Sequence, residues 1–115
     1  MMNPELVDKA LQSKDFVLAT QRQLIKDFAS ANTLFPDNFN SIPYEVNQLI
    51  IEISARLKSI ENLSSSNLSQ LLYRIDIPES ALPDLMDSDD FYTNLAQLVL
   101  KREAYKVFLR SQFSS

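Results

Sequence analysis

The chain of 115 residues contains no glycine, cysteine, histidine or tryptophan. Glycine provides the backbone freedom of most phosphate-binding loops, nucleophile elbows and dinucleotide fingerprints, so its absence excludes those devices. Histidine and cysteine supply the commonest general base, the commonest transition-metal ligands and the thiol nucleophile, and without them little catalytic chemistry remains. The sequence therefore predicts a protein that is not an enzyme and that holds no cofactor and no metal.

The densest charge cluster is the acidic stretch 84–90, and it is the strongest candidate for binding a hard cation. The EF-hand pattern fails there, because the chain has no glycine for the sharp turn and Leu98 stands at the closing position counted from Asp87. Acidic residues at the start of a helix are favoured by the helix dipole. We therefore interpret this stretch as the charged start of a helix.

Composition and charge are those of an ordinary folded protein. Hydrophobic residues make up 45% and charged residues 23% of the chain, whose length fits a single domain over residues 1–115. The net charge of −4 at pH 7 disfavours nucleic acid and anionic membrane surfaces as partners. The longest apolar run, 49–53, contains Glu52 and is too short to span a bilayer, and the first residues lack a secretion-signal pattern. We expect a cytoplasmic protein that binds neither nucleic acid nor membrane.

The clearest helix is predicted from Pro43 to Ile60, with its end near Asn62. Proline suits a first helical turn, because its missing N–H would have had no partner within the helix. The apolar residues recur at steps of three and four and so share one helix face: Val46, Leu49, Ile50, Ile53, Leu57 and Ile60. Ile53 lies at the centre of this stripe and is predicted to be a core residue.

The N-terminal region, 4–31, is also predicted to be helical, with Asn3 as N-cap. Its apolar stripe is interrupted at residues 13–15, either by a solvated turn in one long helix or by a break into two helices. We favour the break, with Ser13 as the second N-cap. In a chain without glycine, asparagine best tolerates the left-handed conformation that closes helices, so Asn32 and Asn62 are candidate C-caps.

The C-terminal half adds further helical segments. A short helix is predicted after the serine run 64–66 and before Pro78, followed by a turn over 79–86. The last helix is expected from Asp87 or Ser88 to about Gln112, with this apolar stripe: Phe91, Leu95, Leu98, Val99, Tyr105 and Leu109. Its C-terminal part is basic, as the helix dipole favours: Lys101, Arg102, Lys106 and Arg110. The predicted fold is an all-α, single-domain bundle of four to five helices without a sheet.

The connector over residues 33–42 is unusually apolar for a loop, and Tyr44 follows it. Exposed aromatic residues on a helical scaffold are typical of protein-binding surfaces, so Phe35, Phe39 and Tyr44 are candidate partner-binding residues. The same side chains could instead fold back and cover the end of the bundle. We expect Phe35, beside Pro36, to be more buried than Phe39.

Three classes of function remain open. The first is a small intracellular helical protein that acts through a protein partner or by self-association, because apolar helix faces are abundant and catalytic chemistry is scarce. The second is a bundle that binds a small apolar ligand between its helices. The third is an enzyme that uses only carboxylate, lysine or tyrosine chemistry. The first class is the prediction, and the second is the alternative.

Overall fold

The computed structural model describes residues 4–86 and 90–113, and all regular secondary structure within these ranges is helical. Six α-helices occur within these ranges, one of them only five residues long, and the predicted all-α fold is confirmed. The α-helices are α1 (Pro4–Ala10), α2 (Lys14–Ala29), α3 (Val46–Leu63), α4 (Ser65–Ile75), α5 (Leu82–Met86) and α6 (Phe91–Phe113). Short 3₁₀ turns are formed by Asp37–Asn40 and Glu79–Ala81.

The predicted break in the N-terminal region is confirmed. Ser13 has an extended backbone and its hydroxyl accepts a hydrogen bond from the N–H of Phe16 at 3.4 Å, as expected of an N-cap. The break allows α1 to turn back against α6, with Val7 buried. Leu6, the residue before Val7, is 46% exposed. Asn3, the predicted cap of α1, lies outside the described residues.

A left-handed residue that is not glycine follows α2 and α4. Asn32 has φ of 56° and Asp76 has φ of 69°. Each permits the N–H of the next residue to reach back across the last turn, from Thr33 to the Phe28 carbonyl at 3.3 Å and from Ile77 to the Leu72 carbonyl at 2.9 Å. The left-handed conformation predicted for Asn32 is confirmed, but the C-cap of α2 is Ser30, two residues earlier. Asp76 is the C-cap of α4 and was not predicted.

The prediction that Asn62 closes α3 is wrong, because Asn62 lies inside that helix. Ser64 stands between α3 and α4 in an extended conformation. Its N–H donates to the Ile60 carbonyl at 2.9 Å, and its hydroxyl accepts from the N–H of Asn67 at 3.3 Å. One serine thus ends α3 and caps α4, and no left-handed residue is needed at this corner.

Helix α3 begins later than predicted, at Val46, and Pro43 is not in its first turn. The preceding Glu45 is extended, with ψ of 148°. The N–H of Tyr44 is directed to the Gln21 side chain, 2.7 Å away, so residues 43–45 remain in the connector. A contact from a distant helix therefore sets this boundary, and the local pattern does not.

The core forms around α3, which packs against α6 and α4, while α2 packs against α6 on the other side. The predicted α3 stripe is confirmed for Leu49, Ile53, Leu57 and Ile60, all fully buried. In α6, Leu95 and Val99 are buried as predicted, whereas Leu109 is exposed. The residues that complete the inward face of α6 are Ala96, Leu100, Glu103 and Ala104. The Cα radius of gyration, 13.6 Å, is that of one compact body of this length.

Candidate functional site

The connector between α2 and α3 carries an aromatic cluster that is anchored in the core. Phe39 is 0% exposed. Its ring stacks on Phe35 with centroids 4.3 Å apart and meets Tyr44 edge-on at 5.0 Å. Phe35 in turn meets Phe28 of α2 edge-on at 5.1 Å. These offset and edge contacts are favoured between aromatic rings, so the cluster holds the connector on the bundle.

The expected order of burial within this connector is wrong. Phe39 is fully buried and Phe35 is half-buried. The 3₁₀ turn Asp37–Asn40 directs Phe39 inward, while Phe35 lies on the outside of the stack, where the Arg56 guanidinium covers its ring at 5.9 Å. Phe39 is thus a core residue of the folded chain, and Tyr44, like Phe35, is half-buried.

Gln21 of α2 fixes the backbone of the connector through hydrogen bonds from its buried side chain. It is 0% exposed, and its amide nitrogen donates to the carbonyls of Phe39 at 2.7 Å and Ile42 at 2.9 Å. Its amide oxygen accepts from the N–H of Tyr44 at 2.7 Å. A single buried side chain thus pairs with three backbone groups that no helix or sheet pairs.

We expect Gln21→Leu to lower the free energy of unfolding by at least about 2 kcal/mol, since each buried polar group left unpaired costs about 1–3 kcal/mol. Urea unfolding followed by circular dichroism measures the loss. Gln97→Leu, at an exposed position on α6, is the matched control and should change stability little. Equal effects of the two substitutions would show that Gln21 does not hold the connector.

Two open grooves lie on either side of the segment that leads into α3. One, of about 510 Å³, is lined by Asn38, Ile42, Pro43, Tyr44, Gln48, Ile51 and Glu52. The other, of about 460 Å³, includes Lys14, Pro43, Tyr44, Glu45 and Val46. Pro43 and Tyr44 line both and form a ridge between them, which we call the Pro43–Tyr44 ridge. Ile42 and Ile51 beside it are 52% and 65% exposed.

A second cluster of polar and charged side chains lies between α2, α4 and α6, around the buried carboxylate of Asp27. One of its oxygens accepts from the amide of Gln23 at 3.0 Å and from the ammonium of Lys106 at 2.9 Å. Its other oxygen is 3.5 Å from Nε of Arg74. The carboxylate thus joins the three helices through charge-assisted contacts.

Glu103 of α6 is the other buried acid of this cluster. It is 0% exposed, and its carboxyl faces Asp27 and lies 3.1 Å from the ammonium of Lys106. Burial raises the pKa of Glu103 to about 8; the contact with Asp27 and the negative charge of Asp27 also raise it, while Lys106 opposes. Burial also acts to raise the pKa of Asp27, but contacts with Glu103, Gln23 and Lys106 lower it below its ordinary value.

Gln21, Asp27 and Glu103 were not identified from the sequence, although each lies three or four residues after a buried apolar residue on its helix. Gln21 lies four residues after the inward Val17, and Glu103 lies four residues after the inward Val99. A polar residue at a position that helical periodicity assigns to the buried face must find a buried partner. The sequence can indicate such residues, but their partners come from other helices and only the fold reveals them.

The described residues contain no group of three or more acidic side chains, close enough to hold a metal ion. Residues 87–89 of the acidic stretch, including the predicted helix start at Asp87 or Ser88, lie outside the described ranges. No helix within those ranges is both long and apolar enough to cross a bilayer.

The fold defines the protein as an all-α helical bundle. No family model matches the sequence, and comparisons with curated proteins and with solved structures give no significant match.

Proposed function

We propose that this chain is a non-catalytic, cytoplasmic protein-interaction module that associates with a second copy of itself through the Pro43–Tyr44 ridge and its two grooves. The observation that carries the proposal is the exposure of Ile42 and Ile51, at 52% and 65%, beside a ridge whose backbone is fixed. Large apolar side chains that converge on one rim are typical of interfaces.

The shape of this surface supports a second copy as the occupant. A two-fold interface uses the same patch on both subunits, so the patch must complement itself. A ridge between two grooves meets this condition, because the ridge of each copy can enter a groove of the other. The groove on the α2 side carries both Lys14 and Glu45, so a two-fold arrangement can pair opposite charges across the axis.

The rigidity of the connector also supports the proposal. Gln21 pairs with its backbone, and Phe39 anchors it in the core. A surface that is ordered before binding loses less conformational entropy when it binds. The exposed isoleucines are therefore presented on a preformed surface.

We expect the purified protein to dimerise with rising concentration in sedimentation-velocity experiments. Replacing Ile42 and Ile51 together by serine should raise the dissociation constant about tenfold or more, since two central apolar contacts are lost. The monomer should keep its helical dichroism spectrum, because both side chains are already exposed.

Leu63→Ser is the matched control, since Leu63 is exposed on α3 but does not line either groove. Lys14→Glu and Glu45→Lys should each weaken the dimer, and the two together should restore it if they pair across the axis. A wild-type protein that stays monomeric up to millimolar concentration would overturn the proposal, as would equal dimerisation of the serine variant.

The alternative, a binding site for a small apolar ligand, has one observation in its favour. A groove of about 480 Å³ beside α4 is lined by Ser69, Leu72, Tyr73, Ile77, Pro78 and Leu82. This volume and apolar lining are within the range of small-molecule sites. Stoichiometric binding of an apolar fluorescent probe, abolished by Leu82→Asp and not by Ile51→Ser, would favour this function over self-association.

The absence of catalysis and of nucleic-acid binding remains part of the proposal. Asp27 and Glu103 are 3% and 0% exposed, so a substrate at the surface does not reach the carboxyl pair. At the basic end of α6, Arg102 pairs with Asp76 at 3.6 Å, Lys106 pairs with Asp27, and the guanidinium of Arg110 donates to Gln23 at 2.8 Å. These cations are already engaged within the chain, which leaves little charge for phosphate groups.

A further inference from the structure

The contact between Asp27 and Glu103 requires a proton. The ammonium of Lys106 lies 2.9 Å from an oxygen of Asp27 and 3.1 Å from an oxygen of Glu103, so the two buried carboxyl groups lie beside each other around one cation. A proton on one of the two acids removes one of these two negative charges. Two buried carboxylates facing each other with no proton between them would repel strongly in this low-dielectric interior.

The surroundings decide which acid holds the proton. Asp27 accepts hydrogen bonds from the amide of Gln23 and the ammonium of Lys106, and Arg74 lies 3.5 Å away. Glu103 has Lys106 beside it at 3.1 Å, and neither of its oxygens meets hydrogen-bond geometry with any group among the described residues. Donors stabilise the ionised form, so Asp27 keeps the charge and Glu103 keeps the proton.

The other helices that pack on α6 bring no buried ionisable group toward Glu103. The buried residues of α3 are all apolar. The charged residues of α1 and α5 are exposed: Glu5, Asp8, Lys9 and Asp84. The charged groups that face the pair are therefore Lys106 from α6 and, through Asp27, Arg74 from α4.

We propose that Glu103 is protonated in the folded protein at neutral pH beside the ionised Asp27, so that the junction of α2 with α6 is a built-in pH-sensitive element that weakens as pH rises. This inference is independent of the proposed self-association. The protonated Glu103 couples folding of the bundle to proton binding near neutral pH. A chain without histidine has few other groups that titrate in this pH range.

The sign of the pH dependence follows from the two states. In the unfolded chain Glu103 ionises near its ordinary pKa of 4.5, whereas in the folded chain it holds its proton up to a pKa of about 8. Between these values the folded state binds one proton more, so stability falls as pH rises. The equilibrium constant for unfolding should increase up to tenfold per pH unit in this window and lose this dependence above about pH 8.

The lowered pKa of Asp27 acts at a different pH. It contributes stability that is present above the ordinary pKa of 3.8 and is lost on further acidification. A comparison that starts at pH 5.5 therefore isolates Glu103.

The experiment compares urea unfolding of the wild type and Glu103→Gln from pH 5.5 to 9, at one low protein concentration. Glutamine keeps the size and a neutral donor group, and it does not titrate. We expect the ratio of the wild-type to the variant unfolding constant to rise about a hundredfold between pH 5.5 and 7.5 and to level off above pH 8. Asp8→Asn, at an exposed carboxyl on α1, is the control and should retain the wild-type pH dependence.

A second measurement does not depend on the stability of any variant. Carbon-13 NMR of the glutamate carboxyls in the wild-type protein should show one resonance at the protonated position at pH 7 that moves only near pH 8. A ratio of unfolding constants that stays constant over the whole range, or glutamate resonances that all titrate near their ordinary pKa, overturns the inference.

Discussion

Phe39→Ala is expected to lower the free energy of unfolding by about 3–5 kcal/mol, the loss typical of a truncated buried phenylalanine. Phe39 is 0% exposed and contacts the rings of Phe35 and Tyr44, so its removal leaves a cavity and unstacks the connector. Chemical denaturation followed by far-ultraviolet circular dichroism measures the effect. From the sequence alone we expected Phe39 to be the more exposed of the two connector phenylalanines.

Leu34→Ala is the matched control for Phe39, because Leu34 belongs to the same connector and is 82% exposed. It should change the free energy of unfolding by no more than about 0.5 kcal/mol. A loss of less than about 1 kcal/mol at Phe39 would mean that this side chain is not part of the core. If Phe39→Ala also weakened self-association in the folded fraction, the effect would come from displacement of the connector.

Ile53→Ala is expected to lower the free energy of unfolding by about 2–5 kcal/mol, because it removes methyl groups at the centre of the core and leaves a cavity. Ile53 is fully buried on α3, which packs against both α4 and α6. Its neighbour Ile51, on the same helix, is 65% exposed and provides the matched control. The same urea titrations measure both variants, in dilute solution where the protein is monomeric.

Ile51→Ala removes the same methyl groups from the same helix and should cost less than about 1 kcal/mol. A comparable loss at both positions would contradict the burial pattern of α3. The pair therefore separates the effect of burial from the effect of helix propensity, which is the same in the two substitutions.

The helices were predictable because their signals are local. Repeats of apolar residues at three and four residues placed Leu49, Ile53 and Leu57 on one face of α3, and Ser13 marked the break before α2. Hydrogen bonds inside a helix and its capping side chains connect residues only a few positions apart. A single sequence contains that information.

The connector was predicted less well because long-range contacts determine it. The pattern around Phe35 and Phe39 indicated aromatic residues in a loop but did not show which one points inward. That choice depends on Gln21, which is 18 residues away along the chain from Phe39 and pairs with its carbonyl. The late start of α3 at Val46 has the same cause, since Tyr44 donates to the same side chain.

The sequence by itself determined the helical class, the division of α1 from α2 and the inward face of α3, because periodicity and capping act within a few residues. Only the tertiary structure decided that Phe39 is core, that Ile42 and Ile51 border an open ridge, and that Asp27 meets Glu103. Asp27 and Glu103 are separated by most of the chain. Glu103 keeps its proton because burial removes water from both carboxyl groups at once.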